Sequence, residues 1–317
     1  EALNYVVAKG SSSPQYDNAF TKLLDIKYKR IENTLPVKMS DVISLESDYD
    51  NFVTQKGIAA CPTEFILQYA SLLAFYKNAP ESAVTLLEEA IKTATRDSKQ
   101  LNEYKVKLAD VQLYMDNVWD ATLLYSQVNK DMPNDEIGQM AKFKNAKLSF
   151  YIGEFAWAKS QLDVLRAATS KLIANDAMTL SLVIKDNLEI DTTGLELRRL
   201  ARADYRIYQQ RYDEAMMVLD SIVADGNEVS IPHALFRKAE LAKKNHEFAE
   251  AEQLFLQIVD NYQFSYMTDH ALMEAALLEQ NELDKKEDAK RHYETLIDDY
   301  PTSIYTAQAK KNYRKIQ

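Results

Sequence analysis

Along most of the chain, apolar side chains recur at spacings of three and four, which puts them on one face of an α-helix. One register repeats. An alanine is followed four residues later by leucine or an aromatic residue, and then by a further apolar one. Tyr212-Asp213-Glu214-Ala215 leads to Leu219 and Ile222, and Phe248-Ala249-Glu250-Ala251 to Phe255 and Ile258. Phe155-Ala156-Trp157-Ala158 precedes Leu162 and Leu165, and Val118-Trp119-Asp120-Ala121 precedes Tyr125 and Val128. Ala83 precedes Leu87 and Ala90, and Ala289 precedes Tyr293 and Leu296. Tyr16-Asp17-Asn18-Ala19, with Leu23 and Ile26, is a further member.

The alanines stand at 19, 83, 121, 158, 215, 251 and 289, so four of the six intervals are 36 to 38 residues. A fixed period of this size marks stacked helix pairs. The expected units are 1–30, 63–95, 101–133, 138–170, 195–226, 231–263 and 268–301, with a capping helix over 303–317. The two long intervals hold helix-compatible stretches at 31–62 and 171–194, expected to be lengthened or extra helices. Ser13-Pro14 is expected to start the second helix of the first unit, Ser at the cap and Pro in the first turn. Pro133 and Pro301 stop second helices.

The alanine belongs where the second helix crosses the first at close range. In the first helix a small residue takes the matching place: Ser71, Ala109, Ala146, Ala203 and Ala239. These residues are similar to the tetratricopeptide repeat family over nearly the whole length, in the two Glu-Ala quartets, in Gly153 at the turn and in the Asp298-Asp299-Tyr300-Pro301 ending. The resemblance implies an all-α solenoid of antiparallel helix pairs in a right-handed superhelix that binds protein or peptide. The ending Asp298 to Ser303, with Ala307, Lys310 and Tyr313, also resembles bacterial envelope members acting in outer-membrane or cell-wall assembly. That second resemblance implies a periplasmic or outer-membrane-associated location, with the cytoplasm as the alternative. The signature Trp and Gly-Asn of the first helix are absent.

Composition supports helices: of 317 residues only 6 are Gly and 7 Pro, too few for a sheet-rich protein. The net charge of −10 disfavours nucleic acid and anionic membrane surfaces as partners. No stretch is apolar for the roughly 18 residues a membrane span requires. The chain starts at Glu1 rather than Met, as expected of a processed form or a fragment of a longer array.

Enzyme motifs are missing, and no catalytic residue or cofactor is expected. His246 with Glu250, and His270 with Glu274, stand one turn apart, but a zinc site needs three or four ligands. The lone Cys61 is expected to be buried and inert. The favoured function is a non-enzymatic scaffold. The alternatives are an enzyme or metal-dependent module on the same fold, or a structural spacer.

Counting back from each alanine gives the first-helix positions that line the groove in this family. They are Phe65, Leu72, Phe75 and Tyr76; then Val106, Asp110, Leu113 and Tyr114; then Phe143, Lys147, Phe150 and Tyr151; then Leu200, Asp204, Ile207 and Tyr208; then Phe236. Tyrosine recurs at one position four times. Such a stripe either receives an apolar or helical partner segment or packs between neighbouring first helices. Lys147, Asp110 and Asp204 would orient a partner. The fifth positions, Gln68, Val106, Phe143, Leu200, Phe236 and Glu274, carry no base, so a clamp for a C-terminal carboxylate is not expected. Arg198, Arg202 and Arg206 form a row at spacing four, either an acidic-ligand site or a solvated face pairing with Glu196, Asp204, Asp213 and Glu214.

Overall fold

A computed structural model describes residues 2–8, 14–34, 36–95, 98–166 and 170–316. All regular structure among them is helical. The order is α1 (Ala2–Ala8), α2 (Tyr16–Glu32), α3 (Met39–Lys56), α4 (Thr63–Ser71), α5 (Pro80–Thr93), α6 (Lys99–Tyr114) and α7 (Val118–Asp131). Then follow α8 (Glu136–Tyr151), α9 (Phe155–Leu165), α10 (Lys171–Ile190), α11 (Leu195–Tyr208) and α12 (Tyr212–Asp225). The chain ends with α13 (Ser230–Lys244), α14 (Phe248–Asn261), α15 (Thr268–Asn281), α16 (Lys286–Asp299) and α17 (Thr306–Ile316). A short 3₁₀ turn, Ile58–Ala60, precedes α4, and a wide π turn, Leu72–Tyr76, extends it.

The chain divides into two compact units. One comprises Glu1–Ser149 and Phe155–Leu180, the other Phe150–Glu154 and Ser181–Gln317. In the first, α4 packs on α5, α5 on α6, and α6 on α7. In the second, each helix from α11 to α17 packs on the next. Each is therefore an all-α solenoid built from neighbouring helices.

The repeating alanine, the residue four after it and the residue seven after it are buried in six successive second helices, from Ala83, Leu87 and Ala90 to Ala289, Tyr293 and Leu296. Ser71, Ala109, Ala146, Ala203 and Ala239, each 12 residues before its alanine, are buried too. A position without side-chain bulk on either partner lets the helix axes approach closely. The first unit departs from the register: Ile26 is exposed, and α2 buries Ala19, Leu24, Tyr28 and Ile31 instead. Its inward face is rotated toward α3, whose Val42, Leu45, Tyr49 and Phe52 share the same core. Tyr49 stacks on Tyr69 at 5.1 Å, and its hydroxyl donates to buried Gln68 at 3.1 Å. The stretches at 31–62 and 171–194 thus each hold one separate helix, α3 and α10.

The turn between first and second helices is a backbone repeat in its own right. Five residues before each alanine the chain enters the left-handed region: Asn78, Asp116, Gly153, Gln210, His246 and Asp284, with φ between 53 and 82°. The following N–H reaches back to close the first helix. Asn117, Arg211 and Glu247 donate to the carbonyls of Gln112, Arg206 and Ala242, each at 2.9 Å. This six-to-one closure is the helix stop that glycine favours, yet five of the six turns use another residue.

Two helix starts differ from the sequence expectation. The residue before α2 is Gln15, which makes no side-chain cap, so Pro14 lies outside the helix; Ser13 is outside the described residues. The last helix begins at Thr306 and not at Ser303, because the chain first turns through Ser303, whose N–H donates to Tyr300 O at 3.0 Å.

Two consequences are testable by thermal and denaturant unfolding. Ala215→Leu overpacks a closed crossing and should destabilise the protein by about 1–3 kcal/mol. Gln210→Gly removes a side chain from an exposed left-handed position and should stabilise by about 0.5–1 kcal/mol. Unchanged midpoints for either variant would contradict the role assigned to that position.

Candidate functional site

The groove candidates separate by burial. Phe65, Leu72, Asp110, Leu113, Phe150, Leu200 and Phe236 are buried. They serve as core. The apolar groups among them fill the grooves between helices, where they are removed from water. Asp110 is an anchor: both of its carboxylate oxygens accept from Lys144 at 2.7 Å, and one accepts from Tyr125 Oη at 2.6 Å. Asp204 is likewise engaged, accepting from Arg237 Nε at 2.8 Å.

Phe75, Tyr76, Val106, Tyr114, Phe143, Lys147, Tyr151, Asp204, Ile207 and Tyr208 are half-buried. In the first unit Tyr76 meets Tyr28 edge-on at 6.1 Å, and Tyr114 meets Phe75 at 5.2 Å. In the second, Tyr151 stacks on Tyr205 at 5.3 Å and lies 5.9 Å from Tyr208. Each tyrosine of the row thus packs against another ring and keeps part of its surface open.

The arginine row does not act as one cluster. Arg198 and Arg202 are exposed. Arg206 Nη1 donates to Gln209 at 2.6 Å, and its Nε lies 3.0 Å from Glu214, out of line for a hydrogen bond. Arg199, between them, binds Glu196 at 2.8 Å and Asp225 at 2.6 Å. His270 Nε2 is 4.0 Å from Glu274, and its ring stacks on Tyr305. No group of three or more His, Cys, Asp or Glu among the described residues is placed to hold a metal. Cys61 is buried beside the Gly57 carbonyl, and burial pushes its thiol up to about 11, away from the reactive thiolate.

Several exposed apolar groups were not singled out from the sequence. Trp119 on α7 and Trp157 on α9 are 80% and 60% exposed. They stand two and one residues before the repeating alanine, on the outward side of a second helix. In the second unit a cavity of about 670 Å³ opens at the turns after α12 and α14 and at the end of α10. Its lining includes Asp186, Glu189, Ile190, Glu228, Asp260, Phe264 and Tyr266. Phe264 is fully exposed, Ile190 is 60% exposed and Tyr266 42%. Tyr266 is held from behind, its hydroxyl 2.6 Å from Nε2 of buried His233.

Residues 270–303, spanning most of α15 and all of α16, match the tetratricopeptide repeat family model. No curated protein sequence matches the chain. Among solved structures, a tetratricopeptide repeat protein from Parabacteroides merdae is similar at 12% identity, over 94% of this chain and 98% of that one, with a TM-score of 0.37. The complex of Naa15/Naa10 bound to HypK-THB is similar at 12% identity over 92% of this chain, with a TM-score of 0.33. The match covers 38% of that longer chain. Scores this low carry no inference about shape or partners.

His233 makes the second unit sensitive to acid. Burial holds its pKa down to about 4, Arg237 adds to the depression and Asp204 opposes it. The folded state therefore keeps a neutral ring, while the unfolded chain takes up a proton near pH 6.5. The stabilisation is complete above that value and is lost as pH falls toward 4, by up to about 3 kcal/mol. Urea unfolding of the parent between pH 7 and pH 4.5 should show a steeper loss than His233→Gln, which keeps hydrogen-bonding capacity without titrating. Equal slopes would show that His233 does not bind protons differently in the two states.

Proposed function

We propose that this chain, a tetratricopeptide-repeat protein, is a non-enzymatic scaffold that holds an extended or helical segment of another protein on the face of its first helices. The observation that carries the reading is a pair of half-open tyrosines in each unit taken by itself: Tyr76 and Tyr114 in the first, Tyr151 and Tyr208 in the second. A tyrosine ring offers a large contact area, and its hydroxyl tolerates water before a partner arrives. Each ring is already braced by an aromatic neighbour, so little side-chain freedom remains to be lost on binding. The binding surface is narrower than the full groove of the repeat family, because its deep positions are core. Phe75, Val106, Phe143 and Lys147, of the first unit, are half-buried as well.

Protein is favoured over nucleic acid by the net charge of −10. No helix among the described residues is long and apolar enough to cross a membrane. A bacterial envelope setting, periplasmic or outer-membrane-associated with a role in envelope assembly, is the favoured location. It rests on the resemblance of the Asp298 to Ser303 ending to envelope members of the repeat family. Recovery of the native protein in the cytosolic fraction would overturn that location and leave the binding reading intact.

Affinity capture from the native cell extract, followed by titration of the captured protein, tests the surface. Tyr114→Ala with Tyr151→Ala should weaken binding by about 2 kcal/mol or more. The unfolding midpoint should fall only modestly. A collapse of stability with undiminished affinity would make the tyrosines packing residues alone.

A further inference from the structure

The cavity in the second unit shares no residue with the tyrosine row. Four carboxylates, Asp186, Glu189, Glu228 and Asp260, line it, and no Lys, Arg or His does. The adjoining Lys185 lies 3.6 Å from Glu189 in an exposed pair one helical turn apart, which an incoming cation can replace at small cost. Two helices, α10 and α14, end in the lining, and a third, α12, ends just before it. The carbonyl ends of helices carry partial negative charge that adds to the carboxylates. The electrostatics of the cavity therefore select a cation.

Phe264 has no structural requirement behind it. The turn after α14 and the turn after α16 share one frame. Thr268 Oγ1 donates to Tyr262 O at 2.7 Å, and Thr306 Oγ1 to Tyr300 O at 2.9 Å. Ser265 and Ser303 N–H groups close on the same two carbonyls at 2.9 and 3.0 Å. In that frame Phe264 corresponds to Thr302, and Tyr266 to Ile304. The frame forms as well with threonine at the first place, so a fully exposed phenylalanine there answers to something other than folding. The ring is presented on a loop fixed by hydrogen bonds, beside a tyrosine fixed by His233.

A metal would need a tighter ligand group than the described residues offer. An anionic nucleic acid or peptide is repelled. We propose that this cavity seats a partner-protein segment in which lysine or arginine adjoins an apolar side chain. The cation lies among the carboxylates and against the aromatic faces, and the apolar group lies on Phe264 and Ile190. A cavity of about 670 Å³ is within the range that holds a few side chains.

The test is fluorescence anisotropy on the full chain with a labelled Lys-Leu-Arg-Leu-Lys peptide. A Glu-Leu-Glu-Leu-Glu peptide and spermidine serve as competitors. The cationic peptide should bind saturably and more weakly as salt rises. Phe264→Ala should reduce affinity about tenfold, as loss of an aromatic anchor does. The triple variant Glu189→Gln, Glu228→Gln, Asp260→Asn should reduce it comparably and flatten the salt dependence. Both variants alter exposed side chains, and circular dichroism should be unchanged. Tyr114→Ala with Tyr151→Ala should leave this binding intact, which separates the cavity from the first-helix face. The proposal is overturned by absence of saturable binding, by equal competition from the acidic peptide, or by affinity that ignores the cavity substitutions. Spermidine competing as well as the unlabelled peptide would equally overturn it, assigning the cavity to a small polyamine.

Discussion

Two helices cross at close range only where both carry the smallest side chains, and the architecture of this protein rests on repeating that crossing. Ala121 on α7 faces the position of Ala109 on α6, and Ala215 on α12 that of Ala203 on α11; all four are fully buried. Close approach lets the residues four and seven places later, such as Leu219 and Ile222, reach the core. The reversal that makes the crossing possible is fixed too. A single residue enters the left-handed region five places before the alanine, and the next N–H caps the helix just completed. Crossing and turn define each other: shifting the left-handed residue by one place would carry the alanine about 100° away from the contact.

These constraints differ in how visible they are in the amino-acid sequence. The crossing is legible because only Gly, Ala and Ser are small enough, so a periodic alanine with Leu, Phe or Tyr four places on stands out. The turn is nearly invisible. Gly153 announces it once, while Asn78, Asp116, Gln210, His246 and Asp284 adopt the same backbone without a shared side chain. The tyrosine row was legible as a pattern but not in its exposure. A ring on a first helix can be covered by its neighbour or left open, and that depends on side chains one unit away, such as Phe75 beside Tyr114. The acid-lined cavity was not legible, because its walls come from three separate stretches of chain. Its one sequence signal was the frame Tyr-x-x-Ser-x-x-Thr, present at 262–268 and again at 300–306, with Phe264 where the other copy has threonine.

Buried polar groups follow the repeat as well. Asp110 pairs with Lys144, Asp204 with Arg237, and Glu252 with Lys285, each about one repeat apart. Asp110 and Glu252 are buried, so each pair joins the helices of one repeat to those of the next at a place where mispairing would strand a charge away from water. Apolar surfaces alone tolerate sliding between helices; a buried carboxylate bonded to a lysine of the next repeat does not. The residues expected to orient a partner, Asp110 and Asp204, are thus committed to holding neighbouring repeats in register.

That commitment bears on where binding can reside. In a stack of helix pairs the deep positions of each first helix belong to the stack, because every repeat must cover the next. What remains free is the rim of those helices and the turns that join one pair to the following one. The rim holds tyrosines braced by neighbouring rings. The turns are held by backbone and hydroxyl hydrogen bonds among Tyr262, Ser265, Met267 and Thr268, or Tyr300, Ser303, Tyr305 and Thr306. Position 264 takes no part in this frame. Phe264 stands there beside four carboxylates, next to a tyrosine tied to buried His233. An exposed ring at a place where the next repeat manages with threonine cannot be ascribed to stability, since its own burial contributes nothing. Its presence there is the kind of departure from local economy that a binding function leaves in a repeat protein.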